Sequence, residues 1–277
     1  MKVAALQMVS GTQVEANLRA ADALVQSAAA QGAELVALPE YFCILGQRDT
    51  DKLQVQESAG RGPIQQFLAD AARRHGVWIV GGTLPLSTTN PLKVRNTCLA
   101  FNPQGVPVAR YDKMHLFAYD NGTERFDESR VLEAGDAPVS FALPSRDGHT
   151  WRVGLSVCYD LRFAAFYRAL QADLLLVPSA FTYTTGKAHW EVLLRARAIE
   201  NLAYVLAPAQ GGVHENGRRT WGHSMVVDCW GGVLAQQAQG AGVVLADLSM
   251  VQLQTQRTQL PSLRHHRAVP SALPSVQ

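Results

Sequence analysis

The chain has 277 residues, of which 47% are hydrophobic and 17% charged, as is typical of a globular protein long enough to bury a large core. Its 25 Lys and Arg side chains against 23 Asp and Glu give a net charge of +2, so we expect neither nucleic acid nor an anionic membrane as a partner. No apolar run reaches the roughly 20 residues of a membrane span, and the four cysteines form no C-x-x-C pair, which argues against a zinc knuckle or disulfide scaffold and favours the reducing cytoplasm.

The first half of the chain alternates strand and helix patterns. Residues 3–8, VAALQM, predict a strand, and apolar side chains spaced along 14–28 predict a helix. The run ELVALPE predicts a buried strand that ends at Glu40. Residues 63–74 predict a second helix, because proline favours the first helical position. The strand VWIVGGTL and a hairpin follow, and the hairpin ends at Lys113.

The second half repeats the alternation after residues 114–136, a long stretch without a clear period, and such connections are often functional. The strands PVSFAL and WRVGLSV come next, the second ending at Cys158, and a short helix is predicted over 163–170. The run DLLLVPS predicts another strand, and a helix is predicted to begin near Ala188. Three further strand patterns precede residues 251–277, which predict a C-terminal tail. The alternation predicts one α/β domain.

Three ionisable side chains stand where a predicted strand gives way to a loop: Glu40, Lys113 and Cys158. Ligands of α/β sheets bind beyond the carboxyl ends of strands, so side chains at these positions can converge. Each residue alone has an ordinary explanation. A free cysteine at the end of a strand is most often a buried packing residue, and a glutamate or lysine in a loop is most often a surface residue. The three together predict a catalytic site. A thiol with a pKa of about 8.5 is only partly ionised at neutral pH, so Cys158 would need a base or a cation beside it.

Other catalytic patterns fit less well. GLSVC and GHSMV each lack the final glycine of the nucleophile elbow, and no motif nominates one of the eight histidines as a partner for Cys158. The chain has no G-x-G-x-x-G and no phosphate loop, so we expect neither a metal nor another cofactor. Cys43 lies close in sequence to Glu40 and is predicted to be a packing residue.

The segments around the three residues resemble the nitrilase superfamily of carbon–nitrogen hydrolases. LPEYF at Glu40, YDKMHLF at Lys113 and GLSVCYDLRF at Cys158 are similar to its three catalytic signatures, in the family's order. FDES at Glu128 and the stretch 178–231 extend the similarity over nearly the whole chain. The resemblance is strongest to the Nit-type amidases, in particular to deaminated glutathione amidases, with ω-amidases as the neighbouring branch.

The resemblance implies a role for each catalytic residue. Cys158 would be the nucleophile and Glu40 the general base and acid. Lys113 and the backbone N–H of Tyr159 would form the oxyanion hole. Glu128 would be the second glutamate, which positions the first glutamate and the lysine.

Substrate contacts follow from the same resemblance. Arg162 matches an arginine that binds a substrate carboxylate, and a guanidinium suits that bidentate partner. The alternative for Arg162 is a structural ion pair with Asp160 or a glutamate. The pocket is predicted to be lined also by Tyr41, Phe181, Thr184 and Thr185.

The implied fold is a four-layer αββα sandwich of the nitrilase type, with one carbon–nitrogen hydrolase domain over residues 1–250 and a homodimer as the assembly. The implied activity is hydrolysis of a small carboxylate-bearing carboxamide to an acid and ammonia through a thioester, with deaminated glutathione as the expected substrate in metabolite repair. The alternatives are an ω-amidase acting on α-ketoglutaramate, an N-carbamoyl amidohydrolase, and a catalytically inactive binding protein with the same fold.

Overall fold

Two β-sheets and five α-helices carry the fold in a computed structural model that describes residues 1–267. The strands are β1 Lys2–Gln7, β2 Leu35–Ala37, β3 Trp78–Val80, β4 Leu84–Ser87, β5 Val94–Phe101, β6 Pro107–Asp112, β7 Ala118–Asp120, β8 Arg125–Asp127, β9 Val139–Pro144, β10 Thr150–Leu155, β11 Leu174–Leu176, β12 Tyr204–Ala207, β13 Ser224–Val227, β14 Val233–Gln237 and β15 Gly242–Asp247. The helices are α1 Val14–Ala30, α2 Pro63–His75, α3 Ala164–Leu170, α4 Tyr183–Asn201 and α5 Met250–Gln259.

The strands form two large sheets and one hairpin. The first sheet has the order β15–β1–β2–β3–β5–β4, with β6 also paired to β5. The second has the order β14–β13–β12–β11–β10–β9, and β7 and β8 pair only with each other. Each large sheet has three parallel strands at its centre, β1–β2–β3 in the first and β10–β11–β12 in the second.

The alternation of side chains along β1 shows how the layers stack. Val3 and Ala5 pack in one apolar core with strands of the second sheet, whereas Ala4 and Leu6 pack in another with α1 and α2. Successive side chains of a strand point to opposite faces, so the first sheet has the second sheet on one face and helices on the other. Helices α3 and α4 contribute apolar residues to the core around the second sheet. This is a four-layer αββα arrangement, so the predicted fold is confirmed.

Two segments differ from the elements predicted from the sequence. Helix α4 begins at Tyr183 rather than near Ala188, because the Thr182 hydroxyl caps it by accepting from the Thr185 N–H. Part of the predicted tail is helical: α5 buries Leu253 completely, and Arg257 pairs with Asp173 at 2.5 Å. The rest of that predicted tail, residues 268–277, lies outside the described residues.

Candidate active site

The segments that follow strands β2, β6 and β10 bring three ionisable side chains to one end of the sandwich. Glu40 lies three residues after β2 and Lys113 directly follows β6. Cys158 lies three residues after β10 and begins a short 3₁₀ turn. Glu40 and Cys158 line one cavity.

Lys113 is a fully buried cation held between two carboxylates. Its Nζ donates to Glu40 Oε1 at 2.9 Å and to Glu128 Oε2 at 2.8 Å. The exposed fraction of the Lys113 side chain is 0% and that of the Glu40 side chain is 1%. Burying an unpaired ammonium costs several kcal/mol, so these two partners fix both its position and its charge.

Glu40 is oriented by three hydrogen bonds. Besides Lys113, its Oε1 accepts from Asn96 Nδ2 at 2.9 Å, and its Oε2 accepts from the backbone N–H of Ala180 at 2.9 Å. The residue after it, Tyr41, has a φ of 58°, a left-handed conformation that is uncommon for a residue other than glycine. Gly82 lies beneath this turn, where a Cβ would collide with the carbonyl oxygen of Pro39.

Cys158 also sits at a strained backbone position. Its φ is 50°, and its N–H donates to the carbonyl of Pro178 at 3.0 Å. Non-glycine residues in this region of φ,ψ space cluster at functional sites, where the surrounding structure holds them. Asp160 helps to stabilise the backbone conformation at Cys158. Its Oδ2 accepts from the Val157 N–H at 2.8 Å and from the Tyr111 hydroxyl at 2.7 Å.

The backbone N–H of Tyr159, next to Cys158, is a candidate donor to a reacting carbonyl oxygen. Within residues 1–267 it donates to no acceptor, whereas the N–H groups on either side, those of Cys158 and Asp160, are both paired. A free N–H beside a nucleophile can stabilise negative charge that develops on an oxygen.

Glu128 is held from two further directions. Its Oε1 accepts from the Tyr41 hydroxyl at 2.8 Å, and its Oε2 accepts from the backbone N–H of Phe117 at 2.7 Å. Both oxygens also accept from Lys113. Glu128 therefore links the turn after β2, the lysine, and the segment that leads into the β7–β8 hairpin.

The pKa values of the central groups are shifted by burial and by one another. Burial raises the pKa of the Cys158 thiol well above its ordinary value, and the charge of Glu40 raises it further, while Lys113 opposes both. Burial alone would lower the pKa of Lys113, but the charges of Glu128 and Glu40 outweigh burial and hold that pKa above its ordinary value. Cys158 therefore rests as a neutral thiol beside a permanent cation.

Burial alone would raise the pKa of Glu128, but the charge of Lys113 holds the pKa below its ordinary value. A lowered folded-state pKa stabilises the fold above the unfolded pKa, about 4.3, and the gain is lost as pH falls through the folded value. Glu128→Gln is thus expected to lower the free energy of unfolding at pH 7 by a margin that shrinks below about pH 4. Urea unfolding between pH 3 and pH 8 measures this margin. The exposed control Glu15→Gln should show almost none, and a Glu128 margin independent of pH would contradict the ion pair.

The structure brings together most of the residues predicted to bind substrate. Tyr41, Arg162, Phe181 and Thr185 line the cavity with Cys158. Tyr41 also carries the hydroxyl that donates to Glu128.

Three residues that the sequence analysis named do not line the cavity: Thr184, Asp160 and Cys43. Thr184 is exposed, and its hydroxyl donates to Glu124 at 2.9 Å instead of facing the cavity, because it lies on the outer side of the first turn of α4. Asp160 accepts from the ring of His115 at 2.6 Å and not from Arg162, so the alternative of an Arg162–Asp160 ion pair does not occur. Cys43 is buried away from the cavity, and burial raises its pKa to about 12.

Sequence reasoning missed several residues of the site. Asn96 is a buried polar residue of β5, but it lies between Arg95 and Thr97, so no contrast with apolar neighbours marks it in the sequence. Phe117 and Arg218 also line the cavity, but they come from aperiodic loops whose position no local pattern reveals. Within residues 1–267, no group of three or more His, Cys, Asp or Glu side chains could hold a metal ion, and no helix is long and apolar enough to cross a membrane.

The chain is similar to known proteins along nearly its whole length. A family model described as carbon-nitrogen hydrolase matches residues 2–258. Deaminated glutathione amidase from Synechocystis sp. is 42% identical over 268 residues, which cover 95% of this chain and 96% of that protein. The omega-amidase of Homo sapiens is 35% identical over 273 residues, covering 96% of this chain and 95% of that protein. The crystal structure of the C. elegans NitFhit protein aligns with a TM-score of 0.87 at 36% identity, covering 96% of this chain but only 65% of that one.

Proposed function

This chain belongs to the carbon–nitrogen hydrolase family, and from that membership we propose that it hydrolyses the amide bond of a small molecule through a thioester on Cys158. Its assignment as a hydrolase of amide C–N bonds rests on the family and on amidases that are similar over the full length of the chain. The covalent route and the roles of the individual residues are our proposal. The observation that carries it is the convergence of Glu40, Lys113 and Cys158 from three separate strands.

In the first half of the reaction, Glu40 takes the proton of the Cys158 thiol as sulfur attacks the amide carbon. The carbonyl π electrons move onto oxygen, where Lys113 and the N–H of Tyr159 stabilise the negative charge. The carbonyl re-forms, the C–N bond breaks, and Glu40 returns the proton to the departing amine. A raised thiol pKa makes the base necessary, because little thiolate is present at rest.

In the second half, water attacks the thioester carbon while Glu40 takes a proton from that water. The tetrahedral oxygen is stabilised by the same two donors, and the C–S bond breaks. Glu40 then gives the proton to the Cys158 sulfur. The carboxylic acid product is released and the free enzyme is regenerated. Glu128 does not exchange protons in this scheme; it holds Lys113 and, through Tyr41, the turn that carries Glu40.

For the substrate we propose deaminated glutathione. The support is the 42% identity to a deaminated glutathione amidase and the presence of Arg162 in the cavity, a guanidinium with no carboxylate partner in the described residues. The scissile amide of deaminated glutathione joins the acyl group to the nitrogen of cysteinylglycine. The leaving group is therefore that dipeptide, and the expected release of ammonia applies only to a primary amide such as α-ketoglutaramate.

Parallel kinetics with the two amides test this assignment. Both substrates transfer the same α-ketoglutaryl group, so coupled detection of α-ketoglutarate compares them directly. We expect kcat/KM for deaminated glutathione to exceed that for α-ketoglutaramate by at least about tenfold, since the larger substrate contacts more of the cavity. The reverse order would move the chain to the ω-amidases, the second candidate because of the 35% identity to the human enzyme. Turnover of carbamoyl amides alone, or of none, would contradict the proposal.

A homodimer and a cytoplasmic location, which the sequence led us to expect, remain proposals. Exposed apolar side chains on the outer face are compatible with a second copy: Trp230 is 55% exposed and Ile199 47% exposed. Ile199 lies beside Gly231, the residue that follows Trp230.

A further inference from the structure

The loop between β12 and β13 brings an arginine, Arg218, into the wall of the cavity that contains Cys158. Its backbone is fixed on both sides, since its N–H donates to Asn216 Oδ1 at 2.9 Å and its carbonyl accepts from the His214 N–H at 2.8 Å. His214 is itself buried and its ring contacts the carbonyl of Ser10 at 2.9 Å. Hydrogen bonds within the loop therefore fix the backbone position of Arg218, and its side chain extends into the cavity wall.

The guanidinium of Arg218 has no hydrogen-bond acceptor within residues 1–267. Its Nε is buried and unpaired, and it forms no ion pair in that part of the chain. The group lies over the ring of Phe126, 5.0 Å from its centroid. A guanidinium stays charged at every physiological pH, and a partly buried charge without a partner is unfavourable.

The acidic side chains near Arg218 have other partners. Both oxygens of Glu128 are engaged by Lys113. Glu124 accepts from the Thr184 hydroxyl, and Asp127 accepts from the N–H and the hydroxyl of Ser129. Asp49, which lines the second cleft with Arg218, pairs with Lys52 at 3.7 Å. Residues 1–267 thus supply no counter-ion to Arg218, so an anionic group of a ligand can take that role.

Arg162 is the second guanidinium of the cavity that has no carboxylate partner among residues 1–267. Its Cζ lies 5.8 Å from the ring centroids of both Tyr159 and Phe181, and its Nη2 contacts His189 Nδ1 at 3.3 Å. The two arginines therefore occupy separate parts of the wall. Arg162 lies beside the residue that follows the nucleophile, whereas Arg218 lies over Phe126.

A second cleft, of about 600 Å³, does not include Cys158 and shares Tyr41 and Arg218 with the first cavity. Five cationic and two acidic side chains line it, so it favours an anion. The acyl half of a substrate stays bonded to Cys158 after the first step, while the amine half has to leave. The position of Arg218 between the two clefts suits a group on the amine half.

We propose that Arg218 binds a second substrate carboxylate, carried by the leaving amine, so that the site prefers amides with a carboxylate on each side of the scissile bond. The proposal rests on the proposed amidase function and specifies its substrate class. Paired hydrogen bonds from a guanidinium fit a carboxylate closely. The glycine end of deaminated glutathione carries such a group, and the amide of α-ketoglutaramate does not.

Calorimetric binding to the Cys158→Ala protein tests the proposal without turnover. The probes are deaminated glutathione and its analogue in which the glycine carboxylate is a neutral carboxamide. We expect the carboxylate form to bind at least about tenfold more tightly, since a hydrogen bond to a charged group is worth about that factor or more. Arg218→Met in this background should abolish the preference, and Arg218→Lys should keep part of it.

Arg19→Met is the control, because the Arg19 side chain is 74% exposed on α1 and lines neither cleft. It should retain the full preference for the carboxylate form. The proposal is overturned if the parent protein shows no preference, whether it binds both probes equally or neither, or if the preference survives Arg218→Met. Turnover by the wild-type protein tests the amidase function separately, so the two ideas can fail independently.

Discussion

Replacing Cys158 with alanine is expected to lower kcat for amide hydrolysis by at least about 10⁴-fold, because the sulfur forms the bond that replaces the C–N bond. The fold should be nearly unchanged, since the side chain is small and the left-handed backbone is held by its hydrogen bonds to Pro178 and through Asp160. Steady-state release of α-ketoglutarate measures the loss, and thermal unfolding checks the fold.

Cys43→Ala is the control for this variant. Cys43 is also a buried thiol, with a pKa that burial raises to about 12, but it packs away from the cavity with its sulfur 3.6 Å from the Thr83 carbonyl. It should keep activity within about threefold of wild type while losing some stability, as is usual when a core side chain is shortened. Substantial turnover by Cys158→Ala would show that the sulfur is not the nucleophile.

Replacing Lys113 with methionine is expected to damage both folding and catalysis. The change leaves Glu40 and Glu128 facing each other without the cation between them. Removing one partner of a buried ion pair costs about 3–5 kcal/mol of stability. Loss of the oxyanion donor should reduce kcat by about 10²–10³-fold. Urea unfolding and steady-state kinetics on the soluble fraction measure the two effects.

The pH dependence separates the two roles of Lys113. The loss of stability should shrink as pH falls through the pKa of Glu128, which Lys113 holds below its ordinary value, whereas the loss of kcat should persist at neutral pH and above. Lys187→Met, on the exposed face of α4, is the control and should change neither quantity. Normal stability of Lys113→Met at pH 7 would contradict the buried network.

Much of the fold was predictable because its apolar periodicity is strong. β1, α1, α2 and the central strands of both sheets lie where alternating or 3.6-residue patterns placed them. The start of α4 was wrong, because the pattern of its apolar face begins later than the Thr182 cap that starts the helix. Part of the predicted tail is helix α5, which buries only Met250 and Leu253 in a mostly polar sequence, too few apolar contacts for periodicity to reveal.

Only the site residues that lie in recognisable sequence motifs were predictable. Glu40, Lys113 and Cys158 lie close together in the structure. Their convergence was predicted because each of them follows a predicted strand. Asn96 and the Ala180 N–H orient Glu40 through contacts across 56 and 140 residues of sequence. Arg218 enters from a loop stretch, ENGRRT, that reads as solvated surface. Such contacts depend on how the two sheets pack, which no local pattern contains.

Acid quenching of wild-type enzyme during turnover of deaminated glutathione, followed by intact-mass and peptide mapping, tests the central claim most directly. We expect an added α-ketoglutaryl group on the peptide that contains Cys158, and no such group in Cys158→Ala. The adduct should also form more slowly in Glu40→Gln, where the thiol has lost its base. Rapid turnover with no adduct on Cys158 at any quench time, or an adduct on a different residue, would contradict the account.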